Sequence, residues 1–167
     1  MELNAETLKI LLDALIALDS AYLRTMARMG RRIPHLYESG VRYGRTQTWD
    51  TIPDLYVKGY GDCKSLTAAF IAQAREAGYD CEPTFRYSFR TIEDPETLRD
   101  WKEALQEASW RFGPESDEVK QIAKRNDGGL DYHILVQTDG RMMLAGQPLP
   151  LRHDPSKVLG MTDAFPQ

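Results

Sequence analysis

Cysteine is scarce: Cys63 and Cys81 are the only two in 167 residues. Two thiols in a chain this long are not a disulfide framework, so both are expected reduced, in an intracellular setting. Together with the three histidines they match no zinc-ligand spacing, and neither a metal nor an organic cofactor is expected. A basic excess is also missing. Lys and Arg number 21 against 25 Asp and Glu, a formal charge of −4, which gives no broad face for nucleic acid. Long apolar runs are absent too. The run from Ile10 to Leu18 is interrupted by Asp13 and is too short to cross a bilayer, so no membrane partner is expected. The opening Met1-Glu2-Leu3-Asn4 lacks the positive-then-apolar pattern of a secretory signal. Gly59-Tyr60-Gly61 precedes a helix but lacks the third glycine and the lysine pattern of a phosphate loop. With no repeat, low-complexity tract or linker, the expectation is a single α+β domain over residues 1–167.

What is present is periodic. Residues 5–28 carry Leu8, Leu11, Leu12, Leu15, Ile16, Leu18, Tyr22, Leu23 and Met26 at helical spacing, with Asn4 as cap and Gly30 just past the end. Residues 30–54 read as an irregular, aromatic-rich stretch, with Leu36-Tyr37 and Val41-Arg42-Tyr43 as short extended pieces. A short apolar turn runs through Leu55-Tyr56-Val57. An amphipathic helix is predicted from Cys63 to about Ala77, burying Leu66, Ala69, Phe70 and Ala74. From Tyr79 to Arg90 the pattern alternates, with Cys81, Pro83, Phe85, Tyr87 and Phe89 on one face of a strand. Residues 91–129 form a helical excursion, beginning at Asp94-Pro95 and broken at Gly113-Pro114. A second, charged helix spans 115–125, and Asp127-Gly128-Gly129 closes the excursion as a loop. Tyr132 to Gln137 is a strand, Asp139-Gly140 a hairpin signal, and Arg141 to Ala145 its return. Gln147 to Leu151 is extended but not a central strand.

The stretch that carries chemistry is Lys58-Gly59-Tyr60-Gly61-Asp62-Cys63-Lys64-Ser65-Leu66-Thr67. Asp62 is placed to cap the helix, and Cys63 falls in its first turn, where free amides and the helix dipole favour a thiolate. The plain alternative is a small buried residue opening a core helix. A histidine on a later strand, His133, and a later carboxylate, Asp154, complete an ordered set. The thiolate attacks an acyl carbon, the imidazole carries the proton, and the carboxylate holds the ring's tautomer. The alternatives are a satisfied core histidine and a turn-forming aspartate. Asp131 and Asp139 are rival carboxylates, the second better explained by its turn. Trp49, Tyr60 and Asp62 are the candidate substrate-binding residues, although for Trp49 the favoured reading is that it covers core surface.

Gly61-Asp62-Cys63-Lys64-Ser65-Leu66-Thr67, Tyr132-His133-Ile134-Leu135-Val136 and Asp154 together resemble the transglutaminase-like (papain-like) cysteine superfamily. The likeness is nearest to transglutaminase-like proteins of tailed bacteriophages and prophages, and its pieces span residues 36–161. It implies a Cys-bearing helix packed on an antiparallel sheet, with Cys63 as nucleophile, His133 as base and acid, and Asp154 as orienting carboxylate. It further implies a protein or peptide substrate, a phage virion or host protein as partner, and a place in the host cytoplasm or the virion. Residues 91–129 then read as a helical insertion. The superfamily also holds members without activity, so an idle structural or interaction module stays open.

Overall fold

The computed structural model describes residues 5–89, 95–123 and 130–162, and its mixture of helix and sheet agrees with the expected α+β class. Two compact units are present, one of residues 1–86 and 133–167, the other of 87–132.

In the larger unit the chain opens with α1, Ala5–Arg28, as the period predicts; the proposed cap Asn4 lies outside the described residues. Leu8, Leu12, Leu15 and Ile16 are buried on one face. Gly30, at φ +69°, lets the Arg31 amide reach back to the Met26 carbonyl at 2.9 Å, so the helix stops where glycine permits a left-handed residue. Residues 36–38 form a 3₁₀ turn, Leu36–Glu38, rather than an extended piece. The reason is local: His35 Nδ1 accepts from the Tyr37 amide at 3.1 Å and caps the turn. Strand β1, Arg42–Tyr43, then pairs in parallel with β2, Tyr60–Gly61. Between them lies α2, Ile52–Lys58, a full helix where sequence suggested only an apolar turn. Pro53 suits its first turn, and Gly59 at φ +83° ends it.

The central element is α3, Cys63–Glu76. It is not amphipathic as expected: residues 63–72 are all buried. Its run of Ser, Thr and Ala leaves little side-chain bulk, so neighbours close in from every side. Helix α1 packs along it, and Gln73 grips the 34–36 segment by accepting from the Leu36 amide at 2.9 Å and donating to the Pro34 carbonyl at 3.0 Å.

Strand β3, Glu82–Phe89, is present, but Phe85 and Arg86 are both half-buried, so the alternation does not separate two faces there. Cys81 precedes the strand, buried with its sulfur 3.8 Å from that of Met142. Strand β4, Leu130–Gln137, is central in a three-stranded sheet, between β3 and β7, Arg152–His153. The pairing of β4 with β7 is antiparallel, Val136 opposite His153. Asp139-Gly140 does not return the chain onto β4. The Asp139 carboxylate accepts from the Arg141 amide at 2.9 Å and the Asp80 amide at 3.0 Å, a local turn that turns the chain away from the sheet. The hairpin sits one step later, between β5, Met143–Leu144, and β6, Gln147–Pro148. Its turn residues Ala145 and Gly146 both have positive φ, 49° and 77°, the requirement of a tight hairpin. Alanine hides that signal, since it rarely adopts such a backbone. A short α6, Pro155–Val158, follows β7.

The smaller unit holds α4, Pro95–Phe112, and α5, Asp117–Ala123. They are joined through Gly113 at φ +92°, and Trp101 Nε1 donates to the Ile122 carbonyl at 2.8 Å. These are the two helices expected in 91–129. Asp94, residues 124 and 125, and the proposed Asp127-Gly128-Gly129 loop lie outside the described residues.

A buried carboxylate ties α1 to α2. Asp19 Oδ1 accepts from the Ile52 amide at 2.7 Å, capping α2 from another helix, while Oδ2 finds no partner among the described residues. Burial pushes this carboxyl up to about 7 from 3.8, against the Ile52 amide, which favours its charge. The folded state therefore holds the proton more tightly than the unfolded chain. Its contribution is fully present below about pH 4 and is lost as pH rises through about 7, on the order of a few kcal/mol. Asp19→Asn keeps the acceptor and removes the titration. Thermal unfolding from pH 5 to 8 should show the wild type losing stability relative to Asp19→Asn; parallel curves would contradict the assignment.

Candidate functional site

Cys63, His133 and Asp154 all belong to the larger unit, and two of them meet directly. His133 Nε2 lies 2.9 Å from Asp154 Oδ2. The sheet register explains the meeting. With Val136 opposite His153, the next step along puts Asp154 opposite Leu135. Asp154 therefore shares a face with His133, one diagonal away, which is within reach of side chains. The second oxygen of Asp154 is used as well: Oδ1 accepts from the amides of Ser156 at 3.1 Å and Lys157 at 3.4 Å. Asp154 is thus both the cap of α6 and the partner of His133. The turn-forming and triad readings are not rivals here. With the Asp154 carboxylate accepting, Nε2 is the donating ring nitrogen.

Cys63 comes to the same strand from α3. Along β4 the amide of Thr138 donates to the Leu151 carbonyl across the β7 edge at 2.9 Å. By alternation, the amide and carbonyl of Ile134 face that same edge. There β7 has ended, and a side chain of α3 reaches the edge. Thr67 Oγ1 donates to the Ile134 carbonyl at 3.2 Å, and the Ile134 amide is directed at the Cys63 sulfur. Positions 63 and 67 share one helix face, so a single docking surface holds the thiol beside the residue that follows His133.

The electrostatics differ from expectation. Cys63 is only 9% exposed. Burial, with the Asp62 carboxylate next, pushes its thiol up to about 12 from 9.0; the Ile134 amide and Lys64 oppose the shift, and Asp154 adds to it. The helix start does not leave a standing thiolate, because burial and two carboxylates outweigh the first-turn amides. Asp62 occupies the cap position with extended backbone, but its side chain makes no cap hydrogen bond. Its Oδ2 instead pairs with the ammonium of Lys64. The amides of Lys64 and Ser65 face the carboxylate and favour its charge, yet Oδ1 has no hydrogen bond among the described residues. Burial dominates and holds the Asp62 carboxyl above its ordinary value.

Of the other expected residues, Trp49 is half-buried with the Lys64 ammonium 5.6 Å from its ring centre. Tyr60 is 44% exposed, and its contacts run to Lys58, 4.6 Å over its ring, and to Gly44. A Cβ on Gly44 would meet the Tyr60 ring at 2.9 Å, so the close approach needs glycine. Trp49 and Asp62 are therefore joined to the Cys63 turn through Lys64, whereas Tyr60 is engaged by Lys58. The rival Asp139 is occupied by its own turn, and the side chain of Asp131 lies outside the described residues. Cys81 and Met142 make a separate buried contact, and no group of metal-ligating side chains occurs among the described residues.

Three side chains escaped the sequence reading. Lys64 is buried, a fate the helical period assigns to an apolar residue. Tyr43, on β1, feels the charge of Cys63 and of Asp62, and with burial as the larger cause its hydroxyl is held above its ordinary value. His153 is hydrogen-bonded to the Tyr37 hydroxyl, and burial keeps its ring below its ordinary pKa. The Leu36-Tyr37-Glu38 and His153-Asp154 motifs were visible, but only folding shows that they meet.

Comparison with family models, curated proteins and solved structures gives no match to this chain.

Proposed function

We propose that the chain performs thiol-dependent acyl transfer, hydrolysing an amide or isopeptide bond through a thioester, with Cys63, His133 and Asp154 in transglutaminase-like roles. The observation that carries the reading is the 2.9 Å His133–Asp154 contact, one residue from the Ile134 amide that faces Cys63. Because the resting thiol is neutral, the proton leaves as the sulfur attacks. The Cys63 S–H passes its proton to His133 Nδ1 while the S–C bond forms, and the imidazolium is held by Asp154. The imidazolium then protonates the leaving amine as the C–N bond breaks, giving a thioester. Water hydrolyses the thioester, or an amine takes the acyl group. The amide of Cys63, at a helix start, is a donor for the oxyanion. The substrate is a protein or peptide, and a phage or prophage setting is part of this reading. Among the described residues no helix is long and apolar enough to cross a membrane.

The burial of Cys63 favours a second reading, an idle module that keeps the arrangement for structure or binding. Turnover of an amide or glutamine-analogue probe separates the two. Wild type should turn the probe over, and Cys63→Ala should fall to the uncatalysed background. Equal rates in both proteins would leave only the idle module.

A further inference from the structure

We propose that Lys64 is a positioning residue for the Cys63 thiol, its buried ammonium binding Asp62 and the loop at Thr46–Trp49 around the first turn of α3. The inference deepens the thiol-chemistry reading and rests on it for its purpose, though not for its test.

The ammonium is enclosed on all its working sides. The Lys64 side chain is 5% exposed. Its Nζ donates to the Thr46 carbonyl at 3.1 Å and to Asp62 Oδ2, and the Trp49 ring lies against it. A buried lysine is expensive unless paired, so the charge has to be compensated by what surrounds it. Here the compensating groups are the backbone of one loop and the carboxylate that immediately precedes the nucleophile. A second lysine fixes the same loop: Lys58 Nζ donates to Thr46 Oγ1 at 3.2 Å, to Thr48 Oγ1 at 2.8 Å and to Asp50 Oδ2 at 3.1 Å, and the Asp50 amide donates to Ser65 Oγ at 3.0 Å. Loop 44–50 is therefore clamped to residues 64 and 65, the two positions after the cysteine.

The charge consequence follows from position. Four groups bear on the thiol: Asp62 and Lys64 beside it in the chain, Asp154 ahead of α6, and the Ile134 amide next to His133 on β4; Tyr43 on β1 in turn feels the charge of Cys63. Two of these are carboxylates, Asp62 and Asp154, and both oppose a thiolate. Lys64 is the cation that offsets Asp62. Without it, a buried carboxylate stands uncompensated against the sulfur; without Asp62, the ammonium acts on the sulfur alone. The two substitutions should shift the thiol in opposite directions, which a purely structural clamp would not do.

The test is site-resolved iodoacetamide alkylation of Cys63 from pH 7 to 10 in the full chain, with Cys81 in the same molecules as reference. Wild type should show a Cys63 rate still climbing at pH 10. At pH 9 to 10, Lys64→Met should lower that rate about tenfold and Asp62→Asn should raise it about tenfold, the effect of moving a neighbouring charge. Cys81 should keep its rate in all three. Should Lys64→Met fail to fold, Asp62→Asn alone decides, because it retains the ammonium. An unchanged Cys63 profile in Asp62→Asn, or shifts of the same sign in both folded variants, overturns the proposal. An opposed pair of shifts in a protein that turns over no amide probe would keep Lys64's role and remove the enzyme reading, so the two fail separately.

Discussion

Asp154→Asn should reduce turnover of an amide probe by about a thousandfold or more while leaving most of the stability in place. The two oxygens of Asp154 separate the effects. Oδ1 caps α6 through the Ser156 and Lys157 amides, and an asparagine oxygen can do the same. Oδ2 takes the His133 Nε2 hydrogen, and there the amide supplies no charge to stabilise an imidazolium. Asp154→Ala removes both and should also cost about 1 kcal/mol or more of stability through the lost cap and the unpaired ring nitrogen. Thermal unfolding beside turnover checks both claims. Equal losses of turnover and stability in the asparagine variant would mean that Asp154 acts only as a cap.

Phe70→Ala should be the most destabilising single change away from the triad, about 3–5 kcal/mol. Phe70 is fully buried in the middle of α3, and the rings of His35, Tyr37 and His153 lie 5.8, 5.5 and 5.0 Å from its own. Those rings come from two segments far apart in sequence: the 3₁₀ turn with its cap His35, and β7. Truncation opens a cavity that Tyr37 and His153 cannot fill without giving up their hydrogen bond. Because His153 precedes Asp154, loosening β7 also loosens the carboxylate. Chemical denaturation should give the stability loss, and turnover of the folded fraction should fall with it. A loss under about 1 kcal/mol would show that the cluster is not packed as described.

Much of this architecture could be read from residues alone where one local rule dominates. Helix α1 is specified by its leucine period and stopped by Gly30; α3 begins at Cys63 and stops short of Gly78; β4 follows its apolar run. Where two local rules compete, the reading failed. Asp139-Gly140 satisfies the pattern of a hairpin, but the carboxylate preferred the Asp80 and Arg141 amides, and the true turn passed to Ala145-Gly146. Leu55-Tyr56-Val57 is too short a run to declare a helix, and α2 exists because Asp19, far back in the chain, supplies the cap that Thr51 does not. The three candidate site residues are legible as residue types in order, and of them His133 and Asp154 meet in the fold. Their charge state is not legible. A helix start argues for a thiolate, and only the folded surroundings reveal that burial and Asp62 win. Lys64 was hidden for a related reason: a lysine reads as surface until its partners Asp62, Thr46 and Trp49 are brought around it.

The central claim is that His133 moves the proton of Cys63. Its most direct measurement is the rate of Cys63 acylation by an activated ester at pH 7, followed by mass spectrometry in wild type and His133→Ala. The account predicts acylation at Cys63 that slows about a hundredfold or more without the imidazole, with Cys81 unchanged. Equal rates of Cys63 acylation in the two proteins would contradict it.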